Sequence, residues 1–133
     1  MRFLIVEDDF ISRRILQRML SESGECDVAT NGQEAIDAFI QAWEQSQPYD
    51  LICLDILMPG INGQLVLKAI RHFEADRKIP AAKAVKVVMT TALESPHDVI
   101  EAYYRGGCDD YLVKPVEKKR IQELLGQYNF LPC

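Results

Sequence analysis

Leu51-Ile52-Cys53-Leu54-Asp55-Ile56-Leu57-Met58-Pro59 sets four apolar residues in a row before a single aspartate, and a proline follows four residues later. Four residues are too few for an ordinary helix, so the run predicts a strand with Asp55 at its carboxyl end. A strand that is apolar on both faces is buried on both faces, as in a parallel sheet covered by helices on either side. Outward from it, similar runs recur at Phe3–Val6, Val85–Met89 and Tyr111–Val113, with a weaker one at Asp27–Thr30.

Segments of helical period separate these runs. Ile11, Ile15 and Met19 stand at i, i+4 and i+8 and are joined by Leu16 and Leu20, which predicts one apolar helix face. Asn31 with Glu34 three residues on has the pattern of a capping box, opening a helix that carries Ala35, Ile36, Phe39, Ile40 and Trp43. A helix from about Gly63 carries Val66, Ile70 and Phe73. Ser95-Pro96-His97-Asp98 supplies an N-cap, a proline in the first turn and an acid, and starts a helix through Tyr104. Val116–Tyr128 closes the chain as a fifth helix, and Asp76–Lys83, with Pro80, is expected to be an irregular surface loop.

Five βα units in succession, with no hairpin signal between strands, predict an α/β fold: a doubly wound, five-stranded parallel sheet with five helices. The 133 residues fit a single domain over 1–133, with no repeat or linker. Hydrophobic residues at 48% and charged residues at 26% exclude disordered and collagen-like chains. A net charge of −5 argues against direct binding to nucleic acid. No apolar run approaches the ~20 residues of a membrane span. Cys26, Cys53, Cys108 and Cys133 form neither a C-x-x-C pair nor a zinc-ligand spacing, and free thiols suggest a reducing cytoplasm.

Ligands of open α/β sheets bind outside the carboxyl ends of the strands, where strand order reverses. Those ends carry Glu7, Asp8 and Asp9 after the first strand, Asp55 after the third, Thr90 and Thr91 after the fourth, and Lys114 and Pro115 after the fifth. Carboxylates crowded together repel, and a divalent cation relieves them. Oxygen ligands without His or Cys favour Mg²⁺, which commonly combines one or two carboxylates with water and phosphate. Lysine and threonine opposite suit phosphate oxygens, and an aspartate there can act as a nucleophile that becomes an aspartyl-phosphate. The chemistry indicated is metal-assisted phosphoryl transfer onto a carboxylate.

Four blocks in register, Leu4–Asp9, Asp55–Gly63, Thr91-Ala92 and Lys114-Pro115, resemble the receiver domain of two-component response regulators over essentially the whole chain. The resemblance implies a flavodoxin-like sheet of order 2-1-3-4-5 and Asp55 as phosphoacceptor. It implies Asp8 and Asp55 as direct Mg²⁺ ligands, Glu7 acting on the ion from behind or through a water, and Leu57 giving its backbone carbonyl. Thr91 and Tyr111 match the switch hydroxyl and switch aromatic, Ala92 a backbone contact to phosphate, and Lys114 the phosphate-pairing ammonium. Pro115 matches a position that is typically cis.

Plainer roles stand beside these. Asp9 is expected to serve the first helix's N-terminus, Thr90 to face the opposite side of the sheet, and His72 and His97 to lie on the surface. Tyr111 has packing as an alternative role. A small aspartate-nucleophile phosphohydrolase would want a second aspartate two residues after the nucleophile, where this chain has Leu57. The expected function is a phosphorylation-dependent signalling switch without further enzymatic activity. Its phosphoryl donor would be a sensor histidine kinase or phosphotransfer protein, and its output a downstream protein target bound through the fourth helix, fifth strand and fifth helix. A phosphorelay intermediate or a receiver cut from a larger regulator is the alternative, and a monomer or a phosphorylation-dependent dimer fits either.

Overall fold

The structure, a computed structural model, describes residues 1–58, 60–92 and 107–131. In chain order these form β1 (Arg2–Val6), α1 (Phe10–Ser21), β2 (Glu25–Ala29), α2 (Gly32–Glu44), β3 (Leu51–Asp55) and α3 (Gly63–Asp76). A 3₁₀ turn (Ala81–Lys83), β4 (Lys86–Thr91), β5 (Asp110–Val113) and the closing helix α4 (Lys118–Gln127) complete them. The helix expected over Ser95–Tyr104 lies outside the described residues, as does His97.

The five strands form one parallel sheet of order β2-β1-β3-β4-β5. Alternation along β1 shows why a double-wound sheet needs strands apolar throughout. Leu4 and Val6 join Ile52, Leu54, Val87 and Met89 under α2 and α3. Phe3 and Ile5 join Leu51, Cys53, Val88 and Leu112 under α1 and α4. Successive side chains point to opposite faces, so each strand feeds both cores. Phe39 of α2 meets Phe73 of α3 edge-on, with ring centroids 5.5 Å apart.

The helix starts follow from their caps. Asp9 Oδ2 accepts from the Ser12 amide at 2.8 Å, and Asn31 Oδ1 from the Glu34 amide at 2.9 Å. Glu34 reaches back in turn and accepts from the Thr30 amide at 2.9 Å. Asp9 thus serves the helix end, where a carboxylate is favoured by the helix dipole.

Several boundaries differ from expectation. β4 runs on through Thr90 and Thr91, so both threonines are ladder residues and both are buried. β2 starts two residues and ends one residue earlier than its apolar content suggested, because pairing with Arg2–Val6 fixes its register. The loop after α3 contains the 3₁₀ turn. On α1 the buried residues are Leu16 and Leu20, while Ile11 is 67% exposed and Ile15 44%. The apolar face therefore rotates off the sheet toward the helix's amino end, where no described element covers it.

Candidate functional site

β1 lies between β2 and β3, so the chain winds one way from β1 to β2 and the other way from β3 outward. The crevice at that reversal opens between the carboxyl ends of β1 and β3. Glu7 and Asp8 leave one, and Asp55 ends the other. One carboxylate oxygen from each of Glu7, Asp8 and Asp55 falls within 4.8 Å of the others. Glu7 is 1% exposed and Asp55 is buried, whereas Asp8 is open to solvent.

Lys114 enters from the end of β5. Its Nζ lies 2.5 Å from Glu7 Oε1 and 3.4 Å from Asp55 Oδ2, and its amide donates to Thr91 O at 2.7 Å. The Lys114–Pro115 peptide is cis. Arg13, one turn into α1, donates to Glu7 O at 3.0 Å and holds the β1–α1 turn from outside. Burial lifts the Glu7 carboxyl to about 7, helped by the neighbouring Asp55 carboxyl and opposed by Lys114. Burial alone would pull the Lys114 ammonium down, but Glu7 and Asp55 together outweigh it and raise it. One ammonium serves two carboxylates, so the cluster is short of positive charge.

A divalent cation fits that shortage. Glu7 Oε2 is buried with no hydrogen-bond partner among the described residues, leaving an acceptor lone pair unsatisfied beside Asp8 and Asp55. An all-oxygen donor set of this kind suits Mg²⁺ better than zinc.

Of the remaining candidates, Thr91, Ala92 and Leu57 stand at or just past the carboxyl ends of β4 and β3, whereas Tyr111 lies within β5, opposite Met89. Thr91 is buried at the end of β4, and Ala92 follows it at the surface. Leu57 is 62% exposed, and its amide donates to Asp55 Oδ1 at 3.4 Å. Tyr111 is half-buried against the core under α2 and α3. Gly63 is required at the start of α3, because a Cβ there would stand 2.4 Å from Asp55 O. Sequence reasoning did not single out Arg13 or Phe10, named Gly63 only as a helix start and the end of a motif, and placed Ile11 and Ile15 on an apolar helix face without seeing that they stay exposed. The offset between the Ile11/Ile15 row and the Leu16/Leu20 row was the available signal for the last of these.

With this geometry in view, comparison with known proteins is specific. A family model of the response regulator receiver domain matches residues 3–126. The chain belongs to that family. It is 33% identical over 128 residues to hybrid signal transduction histidine kinase L of Dictyostelium discoideum, covering 96% of this chain and 7% of that protein. It is 31% identical over 128 residues to two-component response regulator 24 of Arabidopsis thaliana, covering 96% and 83%. Among solved structures it matches the receiver domain of the response regulator Ssk1 of Saccharomyces cerevisiae, crystallised with the histidine phosphotransfer protein Ypd1. That match has a TM-score of 0.80 and 32% identity, covering 96% and 88% of the two chains. The chain spans between 7% and 44% of the length of the first four curated relatives it matches. No helix among the described residues is long and apolar enough to cross a membrane.

Proposed function

We propose that this chain is a phosphorylation-dependent switch that accepts a phosphoryl group on Asp55 from a phosphohistidine. The observation that carries it is the Glu7, Asp8 and Asp55 cluster with Lys114 reaching two of the three, at the strand-order reversal of a receiver fold. A bound Mg²⁺, held by Asp8, Asp55 and the Leu57 carbonyl with Glu7 behind, would neutralise the carboxylates and the incoming phosphoryl oxygens.

The chain's own residues supply the rest. An Asp55 carboxylate oxygen forms the bond to phosphorus as the histidine nitrogen–phosphorus bond breaks, and the bonding pair returns to the imidazole, which takes up a proton. Lys114 pairs with a phosphoryl oxygen that displaces Glu7 from it, and the Thr91 hydroxyl and Ala92 amide hydrogen-bond to the others. Thr91's new contact favours an arrangement in which Tyr111 turns inward, and the face of β5 and α4 changes with it.

The donor must bring its histidine against the rim, so the surface bordering Asp55 becomes buried in the transfer complex. Phe10, 62% exposed, lies on that border with Ile11 and Ile15. A groove between Ser12, Ile15 and Leu16 on one side and Lys114, Pro115 and Val116 on the other continues it. An apolar patch of this kind fits a helical phosphotransfer surface. The partnership of Ssk1 with Ypd1 supports a donor of that class.

Incubation with a phosphorylated histidine phosphotransfer protein and Mg²⁺ tests the reading. Label should pass to this chain, be lost at high pH, and fail to transfer to Asp55→Asn. Undiminished labelling of that variant would sink the assignment.

A further inference from the structure

Arg71 lies in the third turn of α3, beside the amino ends of β4 and β5, whereas Asp55 stands at the carboxyl end of β3. Its guanidinium makes four contacts at once. Nε donates to Gly107 O at 2.9 Å, and Nη2 to Asp109 Oδ2 at 3.0 Å. Nη1 donates to Val85 O at 2.8 Å and to Glu74 Oε1 at 2.7 Å. The two carboxylates are fixed in turn: Glu74 Oε2 accepts from the Val85 amide and Asp109 Oδ2 from the Val87 amide, each at 2.8 Å. Gly107 has φ +92°, a conformation that favours glycine, and presents its carbonyl to this side chain.

The position of β5 depends on this fork. β5 is an edge strand of four residues, paired to β4 alone. Its exit is fixed by the Lys114 amide on Thr91 O at 2.7 Å, and its entry by the Asp109 amide on Val87 O at 2.8 Å together with Arg71. α3 also begins at the phosphoacceptor loop, where the Gly63 amide donates to Ile56 O at 3.0 Å. One helix thus carries the loop that follows Asp55 at one end and the clamp on β5 further along.

We propose that Arg71 is a positioning residue for the phosphoacceptor site: by fastening the entry of β5 to α3 and β4, it sets where the Lys114 ammonium stands relative to Glu7 and Asp55. The inference rests on Asp55 being the phosphoacceptor. A planar guanidinium can reach two carbonyls and two carboxylates together, whereas a lysine ammonium at this place keeps the charge beside buried Glu74 and loses the fork.

Arg71→Lys and Asp109→Ala test it, the second keeping the Arg71–Glu74 pair intact. In each, the Lys114 and Tyr111 amide resonances of the metal-free protein are recorded, with the rate of Mg²⁺-dependent phosphorylation by a small acyl phosphate and the thermal midpoint. The expected result is moved Lys114 resonances and phosphorylation slowed about tenfold in a protein that keeps its circular dichroism. A lowered midpoint with unmoved resonances and an unchanged rate would make Arg71 a plain stabilising residue and overturn the proposal. If Arg71→Lys does not fold, Asp109→Ala decides by the same readouts. If the parent takes up no phosphoryl group, the functional reading fails and takes this inference with it, and the Lys114 resonances then report only whether Arg71 sets the position of Lys114.

Discussion

Lys114 Nζ, at the end of β5, stands 2.5 Å from Glu7 Oε1, at the end of β1, although β3 and β4 lie between those strands. The contact closes the site across the sheet and joins residues 107 positions apart. It also leaves Asp55 to share the same ammonium at 3.4 Å. Lys114 is the cation paired with Glu7 among the described residues, and a buried carboxylate stripped of its partner is costly, so Lys114→Met is expected to destabilise the metal-free protein by about 3 kcal/mol. Urea unfolding checks this, and Mg²⁺ should recover part of the loss.

Glu7 gives the metal-free protein a pH dependence of definite sign. Burial holds its carboxyl at about 7 in the folded chain against 4.5 ordinarily, so the folded state carries the extra proton between those values. The stability it contributes is fully present below 4.5 and is lost as pH rises through about 7. Unfolding free energy measured across that window should fall with rising pH in the parent, and the slope should flatten in Glu7→Gln. Equal slopes would show that Glu7 is ionised throughout.

Gly63→Ala should damage fold and site together. The added methyl would meet Asp55 O and Ile56 Cα, both backbone, so neither can rotate away. A cost of about 1–3 kcal/mol is expected from such overpacking. Phosphorylation of the folded fraction should slow as well, because the displaced atom is the backbone carbonyl of Asp55, the proposed phosphoacceptor. Normal kinetics in the folded fraction would separate the two effects.

Leu57 projects into solvent at the rim, two residues after Asp55, and has no polar group with which to orient an attacking water. Leu93, the corresponding position after Thr91, lies outside the described residues. Leu57→Asn combined with Leu93→Glu is expected to speed loss of the phosphoryl group by roughly tenfold or more, with donor removed and Mg²⁺ held constant. Equal or slower loss would show that these side chains do not set its lifetime.

The exposed end of α1 separates chemistry from recognition. Ile11→Lys with Ile15→Lys should leave phosphorylation by a small acyl phosphate unchanged and slow transfer from a phosphotransfer protein by about tenfold or more. Equal slowing of both reactions would mean that the substitutions disturb the site itself.

The sheet was legible because its strands are apolar on both faces, as Leu51–Leu54 and Phe3–Val6 show, and because helix caps such as Asn31 announce themselves locally. That Glu7, Asp8, Asp55 and Lys114 come together was legible because strand ends in such a sheet converge. Burial on α1 was less so: periodicity says that Ile11, Ile15, Leu16 and Leu20 share one side of a helix, but only tertiary packing decides which of them the sheet covers. The Arg71 fork was invisible for a similar reason. Arg71 and Glu74 read as an ordinary i, i+3 surface pair, and nothing local reveals that Gly107 and Asp109 close over them.

The most direct test of Asp55 as phosphoacceptor is to locate the modified atom. The protein is treated with a small acyl phosphate and Mg²⁺, reduced with borohydride so that an aspartyl-phosphate is trapped as homoserine, and mapped by peptide mass spectrometry. Homoserine is expected at position 55 alone, and only when Mg²⁺ is present. Homoserine at Asp8 or elsewhere, or none at position 55 in fully folded protein with Mg²⁺, would contradict it.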